Sequence, residues 1–243
     1  MALLITIGQM LSLSLWALVR MRLGGREMLR QVYETGNRSL LFVGITMAFI
    51  GMIGVYELAS TMEAVLPEYS TLGAATLQGL TREMGPIMAG LLLATRVGTG
   101  MAAEIGSMQV SDQVDAMKLS SVDPVELLVL PRLFATSVAS LGLAAVGTTI
   151  AFFSGMCVAW LGFSILPDTF MSLRFVVTAD LVMGICKALV FGFTVPLVSC
   201  ACGFLATGGS EGVGRATTRA VVLSSFIVIV EDALITYIGE VLS

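Results

Sequence analysis

The sequence predicts an all-α polytopic membrane protein, and three observations predict it. Of its 243 residues, 56% are hydrophobic and only 12% are charged, about half the charge that a water-soluble domain carries, and the mean hydropathy is +0.94. The apolar residues fall into runs with few or no charges, each near the length that a helix needs to cross about 30 Å of hydrocarbon. The basic residues collect in alternate connections between those runs, the asymmetry that orients membrane proteins.

Residues 1–23 hold an apolar stretch broken by Gln9, Ser12 and Ser14 and closed by Arg20-Met21-Arg22. The polar interruptions favour a helix lying in the interface over one that spans. Its arginines follow the apolar part, the reverse of a secretory signal, so no cleaved signal peptide is expected. In residues 24–38, Arg26, Glu27, Arg30, Glu34 and Arg38 alternate with Met28, Leu29, Val32 and Tyr33, an amphipathic helix leading into the first span. Residues 1–38 are thus expected to form interfacial elbow helices and residues 39–242 a five-span core, within one domain covering 1–243.

Ser39–Tyr56 carries no charge and is the first span. A turn-rich segment with Glu57, Glu63, Pro67 and Glu68 follows. Leu72 to about Arg96 is the second span, interrupted by Arg82 and Glu83. Leu133–Leu166 supplies the third, and Asp168 and Arg174 mark the next loop. Phe175 to about Leu205 is the fourth, with Asp180 and Lys187 inside it. Thr207–Arg219 reads as a glycine-rich polar loop, and Ala220 to about Leu242 as the fifth span, with Glu231 and Asp232 inside. Arg20, Arg22, Arg26, Arg30 and Arg38, then Arg96, Lys118 and Arg132, then Arg215 and Arg219 lie on one side, whereas the other side holds only Arg174. The N-terminus and the 96–132 segment are therefore expected in the cytoplasm and the C-terminus outside.

Several chemistries are excluded. The chain has no histidine, so histidine relays, triads and metal sites are absent. Cys157, Cys186, Cys200 and Cys202 sit in apolar stretches and read as small buried hydrophobes. Gly208-Gly209-Ser210-Glu211-Gly212-Val213-Gly214-Arg215 looks like a phosphate loop, but a Walker motif needs lysine followed by serine or threonine. The two lysines, Lys118 and Lys187, precede Leu119 and Ala188. No nucleotide is expected to bind this chain; any ATP and magnesium belong on a separate subunit.

The charges inside the spans carry the most information. Each costs roughly 2.5–3.5 kcal/mol at a helix centre, so each wants a partner or a wet cavity. At about 1.5 Å per residue, Glu83 and Lys187 lie at matching depths, and they are expected to pair. Asp180 and Lys187 share a face but sit about 10 Å apart along the axis, too far to pair. Arg82 projects away from Glu83 and needs another acceptor, with Asp232 and a lipid phosphate as candidates. The set reads either as glue between helices or as a polar patch that meets a lipid headgroup.

Outside the membrane, Val110, Val114 and Met117 fall on one helical face with Asp112, Asp115 and Lys118 off it. An amphipathic helix is therefore expected over about 104–120, ended by Asp123-Pro124. Periodicity alone also fits an ordinary connector.

The block from Arg82 to Pro131 closely resembles the MlaE (YrbE-like) family of bacterial lipid-transporter permeases. Arg82-Glu83, Gly85-Pro86, Ala103-Glu104-Ile105-Gly106, Gln113, Asp115-Ala116, Val122-Asp123-Pro124, Asp180-Leu181 and Lys187 carry the resemblance, which extends over roughly residues 26–242. It implies a phospholipid-moving permease of the bacterial inner membrane that works as a homodimer with the lipid cavity at its interface. Its expected partners are two cytoplasmic ABC ATPase subunits and an MCE-domain lipid-binding protein on the periplasmic side; a STAS-domain regulator stays open. The resemblance makes 104–120 a coupling helix, with Glu104, Asp112, Asp115, Lys118 and Asp123 on the ATPase-facing surface. It favours a lipid-cavity role for Arg82, Glu83, Asp180 and Lys187, and the intramembrane charge pattern adds Asp232 to that set. Glu57 is a departure, since the family usually has glutamine there. The alternative reading is an ion- or proton-coupled secondary transporter using Glu83, Asp180, Lys187 and Asp232, and a third is a membrane scaffold that transports nothing. No nucleic-acid partner is expected.

Overall fold

In a computed structural model of the chain, residue 8 and residues 25–65, 69–171 and 178–242 are described. The expected interfacial helix of residues 1–23 lies outside them, residue 8 apart. Every regular element among the described residues is a helix: α1 (Gly25–Val65), α2 (Leu72–Val110), α3 (Gln113–Leu119), α4 (Val125–Phe163), the single turn α5 (Pro167–Phe170), α6 (Thr178–Phe204) and α7 (Gly209–Leu242). Five of these are long and apolar enough to cross a membrane.

Four boundaries differ from the sequence reading. The elbow and the first span are one continuous helix, because no proline interrupts the backbone ladder where the polar residues give way to apolar ones; Ser39 Oγ simply donates to the Thr35 carbonyl at 2.7 Å. The same helix runs on through Glu57 and Glu63, which are not in a turn. The coupling helix is broken in two: Asp112 adopts φ 59°, a left-handed conformation that aspartate tolerates better than most residues, and α3 starts afresh after it. The loop expected over Thr207–Arg219 is mostly helix. Gly208 and Gly209, at φ 84° and 70°, turn the chain, and a Glu211–Arg215 ion pair of 2.7 Å spans the first turns of α7.

Helix α2 contains two π turns, Leu80–Met84 and Ala94–Gly98, and α4 opens with a third, Val125–Val129. Two have a covalent cause. Pro86 and Pro131 have no N–H to give, and each ring crowds the carbonyl four residues back, at Arg82 and Leu127. A widened turn just before each proline lets the helix continue without a break.

With lipid outside, apolar burial does not drive the spans together, so close packing does. Helices α1 and α4 run parallel in contact. A Cβ on Gly51 would overlap the Ala151 backbone, and one on Gly155 would crowd Val55 and Gly51. Gly44 and Gly147 also face this seam, against Ile150 and Met47, but Gly54 and Gly142 have open space beside them and pack against nothing. Around the seam Val43, Met47, Leu72, Leu93, Leu143 and Phe170 are buried. Helix α6 is the central helix, with half of its apolar window buried, whereas only 11% of the window of α7 is buried. Cys200 and Cys202 are buried as expected; Cys157 and Cys186 are exposed, because they face away from the packed seams.

Candidate functional site

Three helices bring their polar faces together within the spans. Helix α2 contributes Gln78, Arg82 and Glu83, α6 contributes Asp180, Lys187 and Thr194, and α7 contributes Glu231, Asp232, Thr236 and Glu240. The spacing follows helix geometry. Asp232, Thr236 and Glu240 recur every four residues, Gln78 and Arg82 are four apart, and Asp180 and Lys187 are seven apart, so each set shares a face. The approach of α6 to α2 depends on Gly184, since a Cβ there would collide with the Thr81 carbonyl.

Lys187 is the centre. Its side chain has no exposure, and its ammonium donates to Glu83 Oε2 and lies 2.9 Å from Asp232 Oδ1. The second contact is an ion pair by distance, but Asp232 Oδ1 has no hydrogen-bond partner, so the ammonium meets it off the hydrogen-bonding direction. Thr236 Oγ1 lies 3.3 Å from each carboxylate oxygen of Glu83 and 2.9 Å from the backbone carbonyl of Asp232, one turn back in its own helix. The expected Glu83–Lys187 pair is therefore present, but Asp232 makes it a triad.

Arg82 takes different acceptors from those expected. It pairs with Glu240, approaches Asp180 Oδ1 at 3.6 Å, and reaches back to Glu83 Oε1 at 3.6 Å. Asp232 is not its partner, because Lys187 occupies it. Asp180, 4% exposed, also accepts from Gln78 Nε2 at 3.3 Å and, as expected, makes no ion pair with Lys187. Both Arg82 and Glu83 sit on the first π turn of α2. Arg82 and Lys187 thus link four carboxylates, Glu83, Asp180, Asp232 and Glu240, among the described residues. One step further along the same seam, Thr194 Oγ1 donates to Glu231 Oε1 at 2.8 Å, while Glu231 Oε2 is buried without a partner. A crevice of about 290 Å³ opens beside this network between α2, α4 and α6, lined mainly by apolar side chains such as Leu77, Leu141 and Ile185, with Thr81 and Thr148 among them.

The residues singled out around the coupling segment separate into different roles. Glu104 is tied to the buried Arg132 at 2.9 Å. Asp123 caps α4, its Oδ1 accepting the Val125 N–H at 2.9 Å. Asp115 and Lys118 pair with each other at 2.8 Å on the surface, and Asp112 holds the left-handed corner. Next to them Leu119 is 88% exposed and Val122 40% exposed. This apolar pair was missed by periodicity, because it lies at the end of α3 and just beyond it, and is visible only once the helix break is known. Glu240 and Thr236 were also missed, although their four-residue spacing from Asp232 was readable. Among the described residues no group of three or more acidic or cysteine side chains is placed to hold a metal ion.

Five helices long and apolar enough to cross a membrane, with an ionic network between three of them, make a multi-pass membrane protein. The chain belongs to the MlaE permease family: it matches the family described as Permease MlaE over residues 28–238. It is 38% identical over 213 residues to a probable ABC transporter permease protein of Rickettsia typhi, covering 86% of this chain and 81% of that one. It is 30% identical over 219 residues to a probable ABC transporter permease protein of Synechocystis, covering 89% and 83%. It is also 30% identical over 215 residues to the chloroplastic protein TRIGALACTOSYLDIACYLGLYCEROL 1 of Arabidopsis thaliana, covering 87% of this chain and 61% of the plant protein.

Proposed function

We propose that this permease moves phospholipid or a related lipid, with ATP hydrolysed by a separate ABC ATPase subunit that carries the nucleotide and magnesium. The observation that carries the reading is the ionic network around Lys187 next to an apolar crevice: a headgroup-scale polar site beside space for an acyl chain. A relative named for a diacylglycerol glycolipid points the same way. Because the network presents both ammonium and guanidinium cations and carboxylates, it suits a zwitterionic headgroup. Arg82, 23% exposed, is the group to meet a phosphate, and Glu240, 59% exposed, to meet an amine.

The ATPase docks on the 104–123 segment, where Leu119 and Val122 give the apolar centre and Asp112, Asp115 and Lys118 the polar rim; Glu104 and Asp123 hold that surface in shape. The sparsely buried face of α7 packs on a second copy, so that the polar seam lies near the dimer interface. The protein lies in the bacterial inner membrane with its N-terminus cytoplasmic and its C-terminus periplasmic, where an MCE-domain protein exchanges lipid with it. A STAS-domain regulator on the cytoplasmic side is compatible with this arrangement.

The test is ATP-dependent lipid transfer by the reconstituted permease and its ATPase. Neutralising the triad as a set, Lys187→Met with Glu83→Gln and Asp232→Asn, should leave folding and ATPase binding intact and abolish transfer. Full transfer by that variant would reduce the triad to structural glue. Transfer driven by an ion or proton gradient in the absence of ATP would favour the secondary-transporter reading.

A further inference from the structure

We propose a second binding site, for a phosphate-bearing anion, in the cleft where the start of α1, the end of α2 and the start of α4 meet. The cleft has a volume of about 320 Å³ and lies among Arg30, Glu34, Arg38, Arg96, Glu104 and Arg132. Four arginines face two glutamates there, and each glutamate is already engaged: Glu34 with Arg30 at 4.0 Å and Glu104 with Arg132 at 2.9 Å. Arg38 and Arg96 make no ion pair among the described residues. Nη1 of Arg96 and Nη1 of Arg132 are buried and have no hydrogen-bond partner, and the Arg132 side chain, whose guanidinium also lies against the Cys200 thiol, is only 9% exposed. Buried guanidinium donors without acceptors are costly, and an absent ligand is an ordinary reason for finding them. The planar donor fork of arginine matches a phosphate oxygen pair. Arg96 lies on the second π turn of α2, as Arg82 lies on the first.

Position argues for a lipid as the source of the phosphate. Arg38 immediately precedes the uncharged run that begins at Ser39, which puts the cleft at the level of the headgroups. The outer surface of the same helix carries Leu29, Tyr33 and Leu41, exposed at 72%, 67% and 74%, an apolar flank suited to acyl chains and an interfacial tyrosine. Basic pockets between spans are a recurrent way of holding anionic headgroups. The site is separate from the Lys187 network and does not depend on it, so its failure would leave the transport reading standing.

The experiment is native mass spectrometry of the full chain in detergent, titrated with phosphatidylglycerol in the presence and absence of millimolar inorganic phosphate. The wild-type chain should retain phosphatidylglycerol, and Arg96→Gln and Arg38→Gln should each weaken retention by about tenfold or more, as expected for losing a charge-assisted contact. Arg38 is exposed at the mouth, so its variant remains informative if Arg96→Gln assembles poorly. The neutral triad variant at Lys187, Glu83 and Asp232 should keep this lipid. Retention that inorganic phosphate does not displace identifies lipid as the source, and displacement identifies free phosphate, both within the proposal. Equal retention by the wild-type chain and both arginine variants would overturn it. So would a wild-type chain that binds neither probe while Arg96→Gln loses a copurifying ATPase, since a protein carboxylate would then fill the cleft.

Discussion

Lys187 is completely buried, and its ammonium is held between two carboxylates contributed by different helices. Removing it alone leaves Asp232 without its counter-charge and Glu83 with only Arg82 at 3.6 Å, and breaking a buried ionic set in this way costs about 3–5 kcal/mol. Lys187→Met should therefore lower the thermal midpoint of the detergent-solubilised protein sharply. The triple neutral variant should recover most of that loss, because no orphan charge remains. Equal midpoints for the single and triple variants would show that the three groups do not act as one ionic unit. The depth arithmetic that matched Glu83 with Lys187 worked because rise per residue is nearly constant in a helix. It could not assign Arg82, whose direction is set by the π turn at Leu80–Met84 and whose long side chain reaches Glu240 near the end of another helix.

At the scale of elements, prolines and glycines decide where helices bend and how closely they approach. The α1–α4 seam requires Gly51 against the Ala151 backbone. Gly51→Leu should push the two helices apart and cost about 1–3 kcal/mol or more, read as a lower thermal midpoint, whereas Gly54→Leu, with open space beside it, should change little. The corner between α2 and α3 makes a different prediction. Leu119→Asp should reduce copurification of the ATPase while leaving the amount of membrane-inserted permease unchanged, and Asp115→Lys combined with Asp112→Asn should do the same. Asparagine is chosen at 112 because it tolerates the left-handed backbone there. Copurification at the wild-type level in both variants would remove this surface from the ATPase interface. The amphipathic period over Val110, Val114 and Met117 was legible, but the break at Asp112 was not, since a single left-handed residue leaves the surrounding hydrophobic pattern almost unchanged.

For the whole molecule, the five apolar runs, their order and the clustering of basic residues at one end could all be read from the sequence, because bilayer thickness and the cost of charge in lipid constrain them strongly. Span ends were less legible. Polar residues such as Glu57, Glu63 and Ser210 sit comfortably in helix that projects beyond the hydrocarbon, so hydropathy marks the membrane and not the helix. The cleft around Arg96 and Arg132 was not legible at all, because it joins residues from three helices whose relative rotation is set by packing. Orientation gives a direct check. In a background with Cys157, Cys186, Cys200 and Cys202 replaced, Ser70→Cys should react with an impermeant thiol reagent added to the periplasmic side, and Ser111→Cys only after the cytoplasmic side is opened. The reverse pattern would invert the bundle and remove the ATPase from the α2–α3 corner.

The ionic triad also has a history during synthesis. Glu83 and Lys187 are 104 residues apart in the chain, so at about 5–20 residues per second the acid emerges from the ribosome roughly 5–20 s before its main counter-charge. Asp232 and Glu240 arrive later still. Throughout that interval Arg82, next in sequence and within 3.6 Å in the finished fold, is the adjacent opposite charge that can neutralise Glu83 as α2 enters the membrane.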